Sequence, residues 1–503
     1  MTSRGSARRR RSRAAGPRVG LFGVIGTDNI GNEGCLDAVV AWLKRDHPDA
    51  TVDFMCVGPE NVKTRYGAPA IPMNWYAKHE HAPGVTATVL KVLGKGIDAY
   101  RVASWVRKHE AVIAPGAGVL EVTLPVGPWW YPYSMFLLSV SGRVTGTKVA
   151  VISVGASGAG QRLTRWFVTT AAKLAYYRSY RDTGSYDAMR RAGVDVTNDR
   201  VYPDLVFAHP APLAGPGDPL TVGIGIMAYY GSNEDRGRAD EVHACYVEKM
   251  KRFVRWLADH GYRIRLFPGD NRWDGAVLAE ILADLRARRP DLEPVWAAGG
   301  AVTSLDALMR EMAPVGTVVG IRYHNVVCAL KLCKPTLSLS YARKHDLLMA
   351  GMGLSEFCLP AKTFDVDRLI ERFTELRGRS AELTRMMADR NAEKARLLDQ
   401  QFAELSRVLF GVREQARKPR PPRARRVLTR IGITRPPARP CPPSSAARCL
   451  PQMSSRSGMV TTDGGECTFP GRPTRRAVRR NGCTRSFLPN RLGTAGTIKY
   501  SCH

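Results

Sequence analysis

The chain contains no C-x-x-C pair, no H-E-x-x-H and no other Cys/His cluster at zinc spacing. That argues against a structural or catalytic zinc centre. His79–Glu80–His81 comes nearest, and it reads as a solvated loop. Long apolar runs are missing as well. The longest, WWYPYSMFLLSV at 129–140, falls far short of the roughly 20 residues that span a bilayer. RRRR at 8–11 is followed by only VGLFGVIG, too short for a secretory h-region, and no cleavage-like site follows. A cytoplasmic protein is expected, with peripheral contact at the inner membrane face through its Arg-rich ends left open.

Acidic residues are scarce at both ends. Residues 1–18 hold seven Arg and no acid; residues 415–503 hold 19 Lys or Arg against two acids. The formal charge of +30 therefore belongs mainly to the tails, because 19–414 carries 49 basic and 43 acidic residues. That near balance argues against a nucleic-acid partner for the body. Cysteine divides the same way. Five of the eleven lie beyond residue 440, and the other six are widely spaced, mostly in apolar runs, as expected of reduced core thiols.

What the chain does have is an alternation of short apolar runs with longer amphipathic ones, the pattern of parallel βα units. VGLFGVIG (19–26), ATVDFMCVG (50–58), AVIAPGAG (111–118) and KVAVISVGASG (148–158) predict buried strands. A helix is expected over 163–178, and VYPDLVF reads as a further strand. The Pro- and Gly-rich AHPAPLAGPGDP (208–219) reads as a linker. LTVGIGIM (220–227), YRIRLFPGD (262–270), LEPVWA (292–297), TVVGIRYH (317–324) and PTLSLSY (335–341) predict a second series of strands. Residues 365–410 read as long helices that fold back to brace both halves.

The expected fold is α/β: two Rossmann-like doubly wound domains facing across a cleft. Their bounds are 19–210 and 220–414, joined by 211–219, with disordered basic tails at 1–18 and 415–503. The C-terminal tail reads equally as a tether or as an accidental extension of the reading frame.

The residues that carry chemistry sit at strand exits. TDNIGNEG places Asn29, Asn32 and Glu33 at a helix mouth whose free N–H groups suit an anion or hydroxyl. A plain βα turn, with Glu33 favoured by the helix dipole, explains the same residues. Gly116 and Gly118 of PGAGVLE either bring backbone amides close to a ligand or merely turn the chain. IRYHN is sharper. Arg322 and His324 stand two apart at the end of a buried strand, so both are expected on one face, beside a helix N-terminus. That combination suits a phosphate or carboxylate, although a surface Arg beside a structural His fits too. One βα unit later, Lys344 and His345 of YARKHD are expected to open into the same cleft. Arg178 and Arg181 fall in YYRSYRDTGS, where an exposed Arg–Asp pair is the plainer reading and Asp182 and Ser185 look like helix-start residues.

At these residues the chain resembles the polysaccharide pyruvyl transferase family. NIGNEG, PGAGVLE, RSYRDTGS with YPDLVF, and GIRYHNVVCALKLCKPTLSLSY with its lysine occur in the family's order, over about residues 19–355. The most specific part is R-x-H-x-x-x-x-A-L followed by S-Y-x-x-K. Asn32 departs from the pattern, standing where members usually carry Asp.

The resemblance implies a GT-B-like fold and transfer of pyruvate from phosphoenolpyruvate to a sugar as a cyclic ketal; no cofactor is expected and no residue is assigned to a metal. It assigns Arg181 and Arg322 to a clamp on the donor, one from each domain, and His324 to acid–base work. Lys344 meets the departing phosphate or the phosphates of an activated acceptor. Asn29, Glu33, Gly116, Gly118 and Tyr341 complete the expected substrate contacts. The acceptor is a saccharide or a lipid-linked glycan of the cell surface. Several fixed cations fit a donor carrying about three negative charges. A GT-B nucleotide-sugar glycosyltransferase is the alternative, weakened because no acid follows the histidine in IRYHNVVCALK.

Overall fold

The computed structural model describes residues 16–27, 29–76, 84–121, 127–157, 160–212, 215–269, 271–291, 302 and 304–411. Within them the apolar runs form two sheets in which every named pairing is parallel. The first contains β1 (Arg18–Gly23), β2 (Thr51–Cys56), β3 (Ala70–Pro72), β4 (Ala111–Pro115), β5 (Lys148–Val154), β6 (Tyr177–Tyr180) and β7 (Arg200–Val201). Its order is β3-β2-β1-β4-β5-β6-β7. The second contains β8 (Asp218–Ile226), β9 (Arg263–Pro268), β10 (Val315–Gly320), β11 (Thr336–Ser340) and β12 (Cys358–Pro360). Its order is β12-β11-β10-β8-β9. Parallel strands are covered on both faces and so read as continuous apolar runs; β4 and β10 are buried along their whole length.

Strand order reverses between β1 and β4 in one sheet and between β8 and β10 in the other. The crevice outside the carboxyl ends at such a reversal is where ligands of doubly wound sheets lie. Helices Gly84–Val106, Tyr131–Thr145 and Arg162–Leu174 cover one face of the first sheet, around Val112, Met135, Leu138 and Val168. Helices Ile30–Asp46 and Ser380–Phe410 cover the other, and from there the core runs without a break into the second sheet.

The helix Ser380–Phe410 ties the two sheets together. Phe402 stacks on Trp42 at 5.2 Å, and the fully buried Gln401 bridges Ser153 (3.0 Å) and Ser179 (2.7 Å) of β5 and β6. Lys148 donates to the carbonyls of Val408 and Leu409, both at 2.8 Å, at the negative end of the helix. Toward its start, Asn391 donates to the Leu330 carbonyl at 2.9 Å, on the second-sheet side.

Several boundaries differ from the sequence expectation. The helix expected over 163–178 ends at Leu174, and Tyr177–Tyr180 is a strand. VYPDLVF supplies only Val201 to the two-residue strand Arg200–Val201; Asp204 then caps a 3₁₀ turn by accepting from Val206 N–H at 3.1 Å. TVVGIRYH stops being a strand at Gly320. Arg322 is the N-cap and Tyr323 begins the helix, so the two-residue alternation assumed for Arg322 and His324 does not apply. LEPVWA, His79–Glu80–His81 and both expected tails (apart from 16–18) lie outside the described residues.

Candidate active site

The loop after β1 is fixed by its own polar groups. Glu33 Oε1 accepts from the Gly26 N–H (2.6 Å) and more weakly from Thr27 (3.4 Å). Burial pushes its carboxyl above the ordinary range. Asn29 Oδ1 caps the helix Ile30–Asp46 by accepting from Gly31 (3.2 Å) and Asn32 (3.3 Å). Asn32 Nδ2 donates to the Val24 carbonyl at 2.9 Å. Gly26, at φ +76°, lets the loop touch Gly58, whose carbonyl would lie 2.1 Å from a β-carbon there. Asn29 and Glu33, expected as substrate contacts, therefore spend these atoms on loop geometry.

PGAGVLE follows β4. Gly116, at φ +51°, gives Cys35 its space: a β-carbon would sit 2.5 Å from Cys35 Sγ. Gly118 leaves room for the Glu121 carboxylate, which accepts from Arg181 Nη2 at 2.9 Å. Arg181 follows β6, its side chain only 6% exposed, with Asp182 at 3.5 Å and Asp204 at 3.9 Å. Arg178, by contrast, is held by Asp199 through two bonds of 2.8 and 2.9 Å. Asp182 also caps the next helix, accepting from Ser185 N–H at 2.7 Å.

Tyr323 links the two lobes. Its hydroxyl reaches Asp204 (3.5 Å), and its ring lies 5.2 Å from the Arg181 guanidinium and 5.6 Å from the Lys344 ammonium. His324 and His345 approach the same ring edge-on, at 5.6 and 5.5 Å. Burial, with Asp204 close by, drives the Tyr323 phenol far up, so it stays protonated. Lys344 also sits over Tyr341, at 5.4 Å. It occupies the first turn of the helix Arg343–Gly351, where the dipole disfavours a cation. Among the described residues no carboxylate pairs with it. A small pocket of about 50 Å³ lies here, lined by Arg181, Asp182, Asp204, Tyr323, Lys344 and Lys394 among others.

Arg322 and His324 go different ways. Arg322 binds the fully buried Asp274 through Nε (3.0 Å) and Nη2 (2.6 Å). Asp274 also accepts from the Ala228 and Gly269 N–H groups, each at 2.9 Å. The fork edge expected to grip a carboxylate or phosphate is thus already engaged within the protein. His324 crosses instead to the first lobe, where its ring covers Gly31. Burial, followed by Lys344, Arg181 and Arg322, depresses its pKa to about 3, so the imidazole is neutral near pH 7. His345 is fully buried, meets Ser338 Oγ at 3.1 Å, and is also pushed well below the ordinary imidazole value, by burial first and then by Lys344.

The structure gathers Arg181, His324 and Lys344 around Tyr323, places Tyr341 against Lys344 and His345, and sets Arg322 aside on Asp274. Sequence reasoning gave no role to Tyr323, Asp204, Glu121, Asp274 or Lys394. Tyr323 and Asp204 lie inside the motifs already singled out, in IRYHN and YPDLVF, but Asp274 lies in NRWDGAV, where nothing local marks it. Among the described residues no group of three His, Cys, Asp or Glu side chains is placed to hold a metal ion, and no helix is long and apolar enough to cross a membrane.

No curated protein sequence matches the chain. Among solved structures it is similar to UDP-GlcNAc 2-epimerase from Neisseria meningitidis bound to UDP-GlcNAc, at 10% identity and TM-score 0.50. That match covers 78% of this chain and 100% of the other. A lipopolysaccharide outer core galactosyltransferase in apo form matches at 10% identity and TM-score 0.49, covering 78% and 99%. UDP-GlcNAc 2-epimerase from Methanocaldococcus jannaschii matches at 10% and 0.46, covering 71% and 91%. At such identity the likeness to the Neisseria meningitidis protein is one of fold alone, a GT-B-like pair of α/β lobes. Residues 29–343 match the sequence model of polysaccharide pyruvyl transferase, well over half the chain, and the chain belongs to that family.

Proposed function

We propose that this chain transfers pyruvate from phosphoenolpyruvate to two hydroxyls of one sugar in a cell-surface glycan or glycolipid, closing a cyclic ketal. The observation that carries this reading is the meeting of a neutral imidazole, His324, with Lys344 and Arg181 around Tyr323, where motifs from both sheets converge.

The chemistry balances without redox change. One sugar oxygen adds to C2 of the donor while C3 takes up the proton. The bond between C2 and the phosphate oxygen then breaks, and phosphate leaves. The second hydroxyl adds to C2, its proton leaves, and the ring closes. Each step asks for a group that both takes and gives a proton, together with fixed positive charge.

His324 supplies the first. Neutral in the free protein, it begins as a base toward the sugar hydroxyl. A donor with about three negative charges then raises its proton affinity, so the same imidazole can return that proton to C3. Lys344, without a carboxylate partner among the described residues, holds a phosphate, that of an activated acceptor or that leaving the donor. Arg181 is the first-lobe cation at the same place. Its carboxylate neighbours Glu121, Asp182 and Asp204 keep it in position while no anion is bound. Arg322, clamped to Asp274, fixes the turn that presents His324.

Incubation of the full-length protein with phosphoenolpyruvate and a candidate saccharide, followed by assay of free phosphate, tests the reading. Phosphate released only when both are present supports it. Turnover of a nucleotide sugar in their place overturns it in favour of glycosyl transfer.

A further inference from the structure

Helices Gly84–Val106, Tyr131–Thr145 and Arg162–Leu174 cover the face of the first sheet opposite the helix Ile30–Asp46. Together they contain seven Lys or Arg and one acid, Asp98. Asp98 is buried and already engaged by Arg101 (3.3 Å) and the Trp75 N–H (2.7 Å). The outer surface of these helices is therefore basic and free of exposed carboxylates.

The same surface carries large apolar side chains in the open. Val92 is 68% exposed, Leu93 58%, Trp129 51% and Trp166 53%. They are not scattered singly. Trp129 packs on Phe167 at 5.5 Å, Phe167 on Trp166 at 5.3 Å and Phe136 on Trp166 at 5.2 Å, giving one continuous aromatic ridge. A groove of about 580 Å³ is lined by Trp129 and Trp130 together with Val92, Lys91, Lys95 and Tyr76. The exposed Arg162 and Arg165 flank Trp166 on its own helix.

Contiguous apolar exposure of this kind marks a surface that meets something, and charge decides what. We propose that this face docks the protein on an anionic lipid bilayer. Trp129, Trp166, Val92 and Leu93 enter the boundary between headgroups and acyl chains, and Lys91, Lys95, Arg162 and Arg165 face lipid phosphates. Tryptophan favours that boundary because its ring is apolar and its N–H is polar. Basic residues beside an apolar ridge match an anionic leaflet. Exposed Val and Leu have no use on a nucleic-acid backbone, which asks for cations and hydrogen-bond donors. The proposal is independent of the pyruvyl transfer argued above, since it involves neither donor nor sugar.

Arg-rich tails would meet an anionic surface through charge alone, so the test separates charge from insertion. Full-length protein is mixed with phosphatidylcholine vesicles, with and without phosphatidylglycerol, at low salt and at about 0.5 M salt, where surface charge is largely screened. Vesicles with brominated acyl chains then report tryptophan depth. The expected result is binding to phosphatidylglycerol vesicles that partly survives high salt, with tryptophan emission quenched by the brominated chains. Trp129→Phe with Trp166→Phe removes most of that quenching. Val92→Asp with Leu93→Asp, both at exposed positions, lowers the salt-resistant bound fraction about tenfold. Absence of binding overturns the proposal, as does binding without quenching, which assigns it to the tails. Unchanged salt-resistant binding in the aspartate variant overturns it as well.

Discussion

The His324 ring lies directly on Gly31. A β-carbon at Gly31 would fall 1.5 Å from His324 Nε2 and 2.0 Å from Cε1, too close for either residue to remain in place. The NIGNEG glycine and the IRYHN histidine, nearly 300 residues apart, are thus two halves of one contact. Gly31→Ala is expected to push the imidazole out of position and lower turnover by about 100-fold or more, the scale of a lost acid–base group. Phosphate-release kinetics check this, with circular dichroism confirming that the helix persists. Near-normal kcat in a folded Gly31→Ala protein would show that the position of this imidazole is not needed for turnover.

His324→Ala is expected to abolish phosphate release while leaving the fold intact, and to change the acid limb of stability. The folded-state pKa of His324, about 3, lies below the ordinary imidazole value of 6.5. Between those values the unfolded chain binds more protons, so this contribution is complete above pH 6.5 and is lost as pH falls toward 3. One such group steepens unfolding free energy by at most about 1.4 kcal/mol per pH unit. His345, lowered as well, acts in the same direction. Thermal melts from neutral to about pH 4.5 should fall less steeply in His324→Ala than in the wild type; parallel curves would contradict the burial argument.

Asp274→Asn leaves Arg322 without its carboxylate and weakens the acceptor for the Ala228 and Gly269 N–H groups. Breaking a buried pair of this kind costs about 3–5 kcal/mol. A large drop in Tm is expected. Arg322→Lys should share it, since a point charge does not reproduce the two-bond fork. If Arg322→Lys melts like the wild type and only its apparent affinity for phosphoenolpyruvate falls, Arg322 serves the donor and not the frame.

Lys344→Met keeps much of the side-chain bulk over Tyr323 and Tyr341 but removes the charge. Tm should stay the same or rise, because the cation sits at an unfavourable helix end. The KM for a phosphate-bearing substrate should rise by about tenfold or more, as expected when a charged partner is lost. Unchanged kinetics with every substrate would exclude Lys344 from binding.

Phe402→Ala removes a buried ring stacked on Trp42 and should destabilise the protein by about 3–5 kcal/mol. Chemical denaturation reads this directly. A loss below about 1 kcal/mol would mean that the helix Ser380–Phe410 is held chiefly by polar contacts such as those of Gln401 and Lys148.

Most strands were legible because parallel strands, covered on both faces, leave uninterrupted apolar runs such as AVIAP and VGTVVG. The helix start at Asp182 was legible because capping is local chemistry; Asn29 was read as a loop residue at a helix mouth, and the structure makes it the N-cap of a helix that begins at Ile30. The failures came where a strand gives way to a helix. In IRYHN the period-2 rule was carried past Gly320, and it put Arg322 and His324 on one face when a helix cap separates them. The partners of Arg322 and Arg181 were out of reach for another reason: Asp274 lies 48 positions from Arg322, and Glu121 lies 60 from Arg181.

By itself the sequence determined the alternation of strand and helix, the strand exits where polar groups collect, and the family, because each is written in neighbouring residues. Only the tertiary structure decided which charges stay available: Arg322 is spent on Asp274, Arg181 is shared among three carboxylates, and Lys344 has no such partner among the described residues. It also decided that His324 is neutral, by burying it beside cations from both lobes. Charge pairing and desolvation depend on distance through space, and the fold sets those distances between residues far apart in the chain.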